Sequence, residues 1–299
     1  MSAGRLGPLA EIPTESVFVA NGDLRLRCVL WGDRARPPVL LIHGNGAHAH
    51  WWAPLVPALA RERLLVSLDQ RGHGRSDRPL EPDFRVQDFA KDFAAVVDQL
   101  GLGPLPVIAH SMGGRAAVYF AARQPEKVSA LAVLDTSLAA LDEIGEDGFR
   151  KKIRGRRDGR PYPSRRAALG AFRLVPEEPG VPADVLSLLA EHAVSERGPG
   201  GWQVHFDRAV LLGDGHGNLI PLLGRLRCPL WIGFGRESRP MRPADLERLV
   251  RVVPEAVIQE FPGAHHFFLS HPEPAAAWLR RFLASAPATP ERAAAASDP

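Results

Sequence analysis

Cysteine is scarce in this 299-residue sequence: there are two, Cys28 and Cys228, and they lie far apart. No metal-binding or redox spacing can be built from them. They read as buried free thiols and point to a reducing, cytoplasmic compartment. No run of about 18 apolar residues occurs, so an ordinary membrane span is not expected. Met1 to Pro13 has one arginine and no apolar stretch, and does not read as a secretory leader. Internal repeats, a phosphate-binding glycine loop and any metal-ligand cluster are also missing, so no cofactor and no metal are expected.

Apolar residues make up 45% of the chain, enough to bury a sizeable core. The net charge of +3 is uneven: residues 146–166 hold nine Lys/Arg against three acids, so that segment is +6 and the rest is −3. A basic run can attract an anionic substrate, a carrier or a nucleic acid. No nucleic-acid motif accompanies it, and it reads as a solvated face or as a basic rim to a site. The expected partner is a small-molecule substrate, with neither a nucleic acid nor a membrane. Nothing in the sequence fixes an oligomeric state.

Short apolar runs recur along the chain. Ser16 to Ala20 and Leu24 to Trp31 flank Asn21-Gly22, a hairpin turn. Pro38 to Ile42, Leu64 to Leu68 and Leu105 to Ala109 are continuous, as in strands covered on both faces. Val128 to Leu134, Pro229 to Phe234 and Ala256 to Phe261 complete the series. Helical patterns lie between them: Phe89, Phe93, Val96, Val97 and Leu100 share one face and Gly101 stops it. Met112 to Arg123 is a small-residue helix, and Trp278, Leu279, Phe282 and Leu283 mark the last one. Alternating strands and helices predict an α/β fold with a mostly parallel sheet. From about Leu138 to Arg225 no buried strand is evident, only helical pieces such as Arg165 to Phe172 and Ala183 to Val194. Long insertions of this kind commonly cover a site. Residues 285–299 are low-complexity and expected to be disordered.

Three motifs carry chemistry. Ala109-His110-Ser111-Met112-Gly113-Gly114 follows a strand and opens a helix, the context of a nucleophile elbow, with small residues two positions either side of Ser111. His43-Gly44-Asn45-Gly46 follows the strand PVLLI, where backbone N–H groups can point into a site. The N–H groups of Asn45 and Met112 are the expected oxyanion donors, each worth about 3 kcal/mol. Asp69 to Asp77, DQRGHGRSD, is a charged glycine-rich loop that suits a tight turn held by hydrogen bonds and an internal ion pair.

HGNG, DQRGHGRSD and AHSMGG, in this order and spacing, resemble the α/β-hydrolase fold superfamily, over about residues 16–284 and least in the insertion. The resemblance implies an eight-stranded, mostly parallel sheet with a helical cap inserted after strand 6. The core would span 16–137 and 226–284, the cap 138–225. It also implies a catalytic triad in the chain order Ser, acid, His, as in a serine hydrolase. Gly263-Ala264-His265, ahead of Pro272-Glu273, fits the family's histidine site, so His265 is preferred to His266 as the base. The acid usually follows the seventh strand, where this chain has Ser238 in Gly235-Arg236-Glu237-Ser238. Some members carry it one strand earlier, which selects Asp135 in Leu134-Asp135-Thr136-Ser137, with Glu237 as the alternative.

These residues imply attack by Ser111 on a carbonyl, an acyl-enzyme and its hydrolysis. The expected activity is that of a serine esterase on a small, largely apolar substrate. Alternatives are a carbon–carbon bond hydrolase of the meta-cleavage-product type, whose sequences share Ser-Met-Gly-Gly, and a ligand receptor that keeps the fold. Trp51, Trp202 and Phe206 are candidates to line the substrate pocket.

Overall fold

The structure, a computed structural model, describes residues 6–81, 84–139, 161–196, 201–206, 210, 217–241 and 243–287. Strands β1 (Thr14–Asn21) and β2 (Leu24–Trp31) form the hairpin, with Gly22 at φ 59 in its turn. Strands β3 (Pro38–Ile42), β4 (Leu64–Leu68), β5 (Leu105–His110) and β6 (Val128–Leu134) follow. Beyond the insertion, β9 (Leu230–Gly235) and β10 (Val257–Phe261) complete one eight-stranded sheet in the order β1-β2-β4-β3-β5-β6-β9-β10. Pairing is antiparallel at β1·β2 and β2·β4 and parallel elsewhere. Every residue of β3, β4 and β5 is buried, which is why these strands read as unbroken apolar runs.

Among the described residues the α-helices, in chain order, are α1 (Val56–Leu59), α2 (Val86–Gln99), α3 (Met112–Arg123), α4 (Arg165–Ala171), α5 (Ala183–Ala193), α6 (Ile220–Leu223), α7 (Pro243–Val252), α8 (Phe267–Ser270) and α9 (Pro272–Ser285). Helix α2 buries Val86, Phe89, Ala90, Phe93, Val96 and Val97, the stripe expected of 3.6-residue periodicity. One apolar cluster packs α2 and α3 on one face of the sheet, with Phe93 edge-on to Phe120; α9 and the turns after β3 cover the other face through Trp52, Phe268, Trp278 and Phe282.

The insertion departs from the sequence expectation in one respect. Besides α4 and α5 it holds a two-stranded antiparallel ribbon, β7 (Val194–Glu196) and β8 (Trp202–Val204), where only helical pieces were expected. Strands of three residues are too short to show a two-residue alternation, and none of the residues of β8 is fully buried. Residues 146–160 of the basic run, and 288–299 of the expected disordered tail, lie outside the described residues. The last helix extends to Ser285, the first residue assigned to that tail.

Candidate active site

Strand β5 passes into α3 through a single residue, Ser111, with φ 53 and ψ −123. Ser111 and Asp135 (φ 44) are the two non-glycine residues at positive φ among the described residues. Such backbone costs about 1–3 kcal/mol and persists only where the surroundings enforce it. Here the next strand in the sheet does so: the Ser111 N–H donates to the Leu134 carbonyl (3.0 Å), and the Asp135 N–H to the Gly233 carbonyl (2.7 Å). Gly113 lets α3 begin against β3, because a Cβ there would stand 2.3 Å from the His43 carbonyl oxygen.

Three loops at one edge of the sheet meet at Ser111. His265, between β10 and α8, turns Nε2 toward the Ser111 Oγ at 3.0 Å and Nδ1 toward the Asp135 Oδ2 at 3.1 Å. With Nδ1–H donating to the carboxylate, Nε2 keeps a lone pair for the serine proton. The other carboxylate oxygen, Oδ1, accepts from the Ser238 hydroxyl at 2.5 Å. Asp135 is completely buried and His265 nearly so (5%), whereas Ser111 and Met112 are partly exposed. The Ser111 hydroxyl therefore faces the accessible side of a buried polar chain. His110, just before Ser111, donates Nε2–H to the His265 carbonyl (2.9 Å), tying the two loops together.

The loop after β3 is held by the motif after β4. The Gly46 N–H donates to His73 Nε2 (3.1 Å), and His73 Nδ1–H donates to the Arg71 carbonyl (3.0 Å). Gln70 donates its amide to the His43 carbonyl (2.6 Å) and its backbone N–H to His43 Nε2 (3.1 Å). Among the described residues, no acceptor is seated on the backbone N–H of Asn45 or of Met112; the latter opens α3, where a helix leaves its first N–H groups free. The ion pairs of this loop differ from expectation, being directed outward rather than internal. Asp69 pairs with Arg27 of β2 (3.3 Å), Arg71 with Asp92 of α2 (2.6 Å) and Asp77 with Arg25 (3.3 Å). Asp69 also accepts from the Ala49 and Arg75 N–H groups. Burial alone would raise the Asp69 pKa, but the neighbouring His48 and these donors outweigh it and hold the carboxyl below its usual range.

His110 and His266 are held well below the ordinary histidine range, by burial first and by neighbouring histidines second, and are neutral imidazoles at pH 7. With His265 they bring one ring nitrogen each within 4.8 Å of one another, a set of ligand type. Both nitrogens of His265 are already engaged by Asp135 and Ser111, and one of His110 by the His265 carbonyl. An ion could be held there only by breaking the chain of hydrogen bonds that reaches Ser111.

Of the residues expected from the sequence, Ser111, His265 and Asp135 come together, flanked by Met112 and the Asn45 loop. Glu237 is exposed, with its backbone N–H bonded to the Gly263 carbonyl. His266 packs edge-on against the buried Trp51 (4.9 Å between centroids). Phe206 lies 5.2 Å from the His73 ring, beside the Asn45 loop, whereas Trp202 pairs through its backbone with Tyr162 inside the insertion. Ser238 and His110 also join the site, from motifs that give them no role by sequence alone. A serine standing where a carboxylate is usual was the available signal for the first.

The resemblance read from the motifs is matched by comparison with known proteins. Residues 37–167 match the model of the alpha/beta hydrolase fold family. The chain has the alpha/beta hydrolase fold of that family. It is similar to the 2-(acetamidomethylene)succinate hydrolase of Mesorhizobium japonicum, 26% identical over 77% of this chain and 82% of that protein. The crystal structure of E-2-(acetamidomethylene)succinate hydrolase superposes with a TM-score of 0.79 at 25% identity, covering 91% of this chain and 100% of that one. The sn-1-specific diacylglycerol lipase ABHD11 of Mus musculus is 26% identical over 87% of this chain and 86% of its own length. This α/β-hydrolase is thus a hydrolytic enzyme with hydrolytic relatives, and the relatives differ in what their names say they cleave.

Proposed function

We propose that this α/β-hydrolase is a serine hydrolase that cleaves an ester-like bond of a small, largely apolar substrate through an acyl-enzyme on Ser111. One observation carries the reading: the continuous chain from the Ser111 Oγ to His265 (3.0 Å) to Asp135 (3.1 Å), set on a strained elbow. In the first step the Ser111 oxygen bonds to the substrate carbonyl carbon as its proton passes to His265 Nε2. Asp135 holds Nδ1–H and stabilises the imidazolium that forms. The carbonyl oxygen, now negative, is bound by the N–H groups of Asn45 and Met112. The bond to the leaving group breaks as His265 returns the proton to it, leaving the acyl group on Ser111. Water then repeats the sequence, and Ser111 is restored.

Trp51, Phe206 and Trp202 are proposed to line the acyl side of the site, on the side covered by the insertion. Among the described residues no helix is long and apolar enough to cross a membrane. Both thiols are free, Cys28 buried and Cys228 half-buried, and burial raises each, Cys228 to about 11; two free, protonated thiols support a reducing, cytoplasmic location. The test is a panel of p-nitrophenyl acyl esters and a dienoic diketone, assayed with the wild type and Ser111→Ala. Turnover of the esters that is lost in Ser111→Ala is the expected result. Turnover of the diketone alone would replace the ester reading with carbon–carbon cleavage.

A further inference from the structure

The base is held in place partly from outside the sheet domain. His265 sits in the five-residue turn between β10 and α8, Pro262 to His266, whose second residue, Gly263, has φ 98. Among the described residues, the backbone N–H groups on either side of it find no backbone carbonyl. Ala264 N–H donates to the Oε1 of Glu178 (2.9 Å) and His266 N–H to its Oε2 (2.8 Å). The Ser270 hydroxyl on α8 adds a third donor to Oε1 (2.8 Å). Glu178 belongs to the insertion, between α4 and α5. It is buried (5% exposed) although its neighbours Glu177 and Pro179 are exposed.

We infer that Glu178 is a positioning residue for His265, a carboxylate lent by the cap that grips the backbone on both sides of the catalytic base. The inference rests on the reading of His265 as that base. A buried carboxylate is costly unless donors surround it, and three do. The turn is shaped to admit it: a Cβ on Gly263 would stand 2.7 Å from the Oε1, so any larger residue would push the carboxylate away. The same stretch of the insertion lays Leu174 into the core cluster, and the Val175 and Pro176 carbonyls lie toward the His266 ring. Seating the cap and setting the base are therefore one event. Misplacing a catalytic group by about 1 Å costs on the order of a hundredfold in rate, so loss of this grip is expected to act on the chemical step rather than on binding.

Glu178→Gln keeps the shape but offers an NH2 group to one of the two N–H donors. It is expected to lower kcat about 10- to 100-fold with KM changed less than threefold. Inactivation by a fluorophosphonate should slow in parallel. Glu178→Asp, one methylene shorter, should fall between Gln and wild type. The spectroscopic readout is the downfield proton resonance of His265 Nδ1–H, which reports the bond to Asp135 without turnover. It should be sharp in the wild type and broadened or lost in Glu178→Gln. A folded Glu178→Gln or Glu178→Asp variant with wild-type kcat and an unchanged resonance would overturn the proposal, even if its melting temperature had dropped. Should Glu178→Gln not fold, Glu178→Asp carries the same comparison. A wild type that shows the resonance but no Ser111 labelling would instead remove the serine-hydrolase reading and leave the role of Glu178 to the resonance.

Discussion

Ser238→Ala deletes one hydroxyl and tests how the acid is held. The Ser238 Oγ lies 2.5 Å from the Asp135 Oδ1 and itself accepts the Met241 N–H at 3.2 Å. It holds the carboxylate oxygen opposite the one that faces His265. Asp135 has no exposed surface, so bulk water does not reach it to take the place of the lost donor. A hydrogen bond to a charged group is worth about 1.5–3 kcal/mol. At about 1.4 kcal/mol per tenfold in rate, a loss expressed wholly in the transition state lowers kcat/KM roughly 10- to 100-fold. One effect opposes this: a carboxylate with fewer donors accepts more strongly from His265, so the upper figure is a bound. Ser238→Thr keeps the hydroxyl and should stay within a few-fold of wild type. Ser238→Asp would place a second carboxylate beside the first, where one of the two must take up a proton, and should be slower than Ser238→Ala. The assay is initial-rate ester hydrolysis together with the second-order rate of fluorophosphonate inactivation, each corrected for folded fraction. A Ser238→Ala enzyme within twofold of wild type in both would refute the reasoning.

Gly113→Ala should leave less than about 1% of wild-type kcat/KM, because the new methyl would press on a His43 carbonyl already fixed by Gln70 at 2.6 Å; full activity would show that the elbow can relax. Arg71→Met should destabilise the fold by about 3–5 kcal/mol in urea unfolding, since it takes the guanidinium from the buried Asp92 and leaves it the neutral Asn21 amide (2.7 Å), and a second change, Asp92→Leu, should recover most of that loss. Burial pushes His43 and His48 down to about 4 and His50 to about 2, with His110 and His266 also well below the usual range. These groups are neutral when folded and take up protons when unfolded, so the stability they contribute is complete above about pH 6.5 and is lost below it, by about 1.4 kcal/mol per pH unit per site. A melting temperature that held steady from pH 7 to pH 5 would contradict this.

Much of the fold could be read from the sequence because its strands are buried on both faces. PVLLI and LLVSL need no alternation to be recognised, and β3 and β4 begin and end where those runs do. The elbow was legible for a related reason: a serine between an apolar strand and a small-residue helix leaves the backbone few options. The ribbon β7–β8 was not, since three residues carry no period. The role of Glu178 was invisible for a different reason. Pro176-Glu177-Glu178-Pro179 looks like a surface turn, and only the folded chain distinguishes the buried glutamate from its exposed neighbour. Its partners are backbone N–H groups 86 and 88 residues away, and backbone donors leave no mark on a sequence. Ser238 lies between these cases. Its position is where the family usually carries the acid, but that its hydroxyl reaches a carboxylate at the end of the neighbouring strand follows from the sheet order β6-β9.

The most direct measurement of the central claim is peptide mass spectrometry of the protein after brief reaction with a fluorophosphonate. The expected result is one adduct, on the peptide carrying Ser111, absent from Ser111→Ala and formed at least a hundredfold more slowly in His265→Ala. An adduct on any other residue, or labelling that persists in Ser111→Ala, would contradict it.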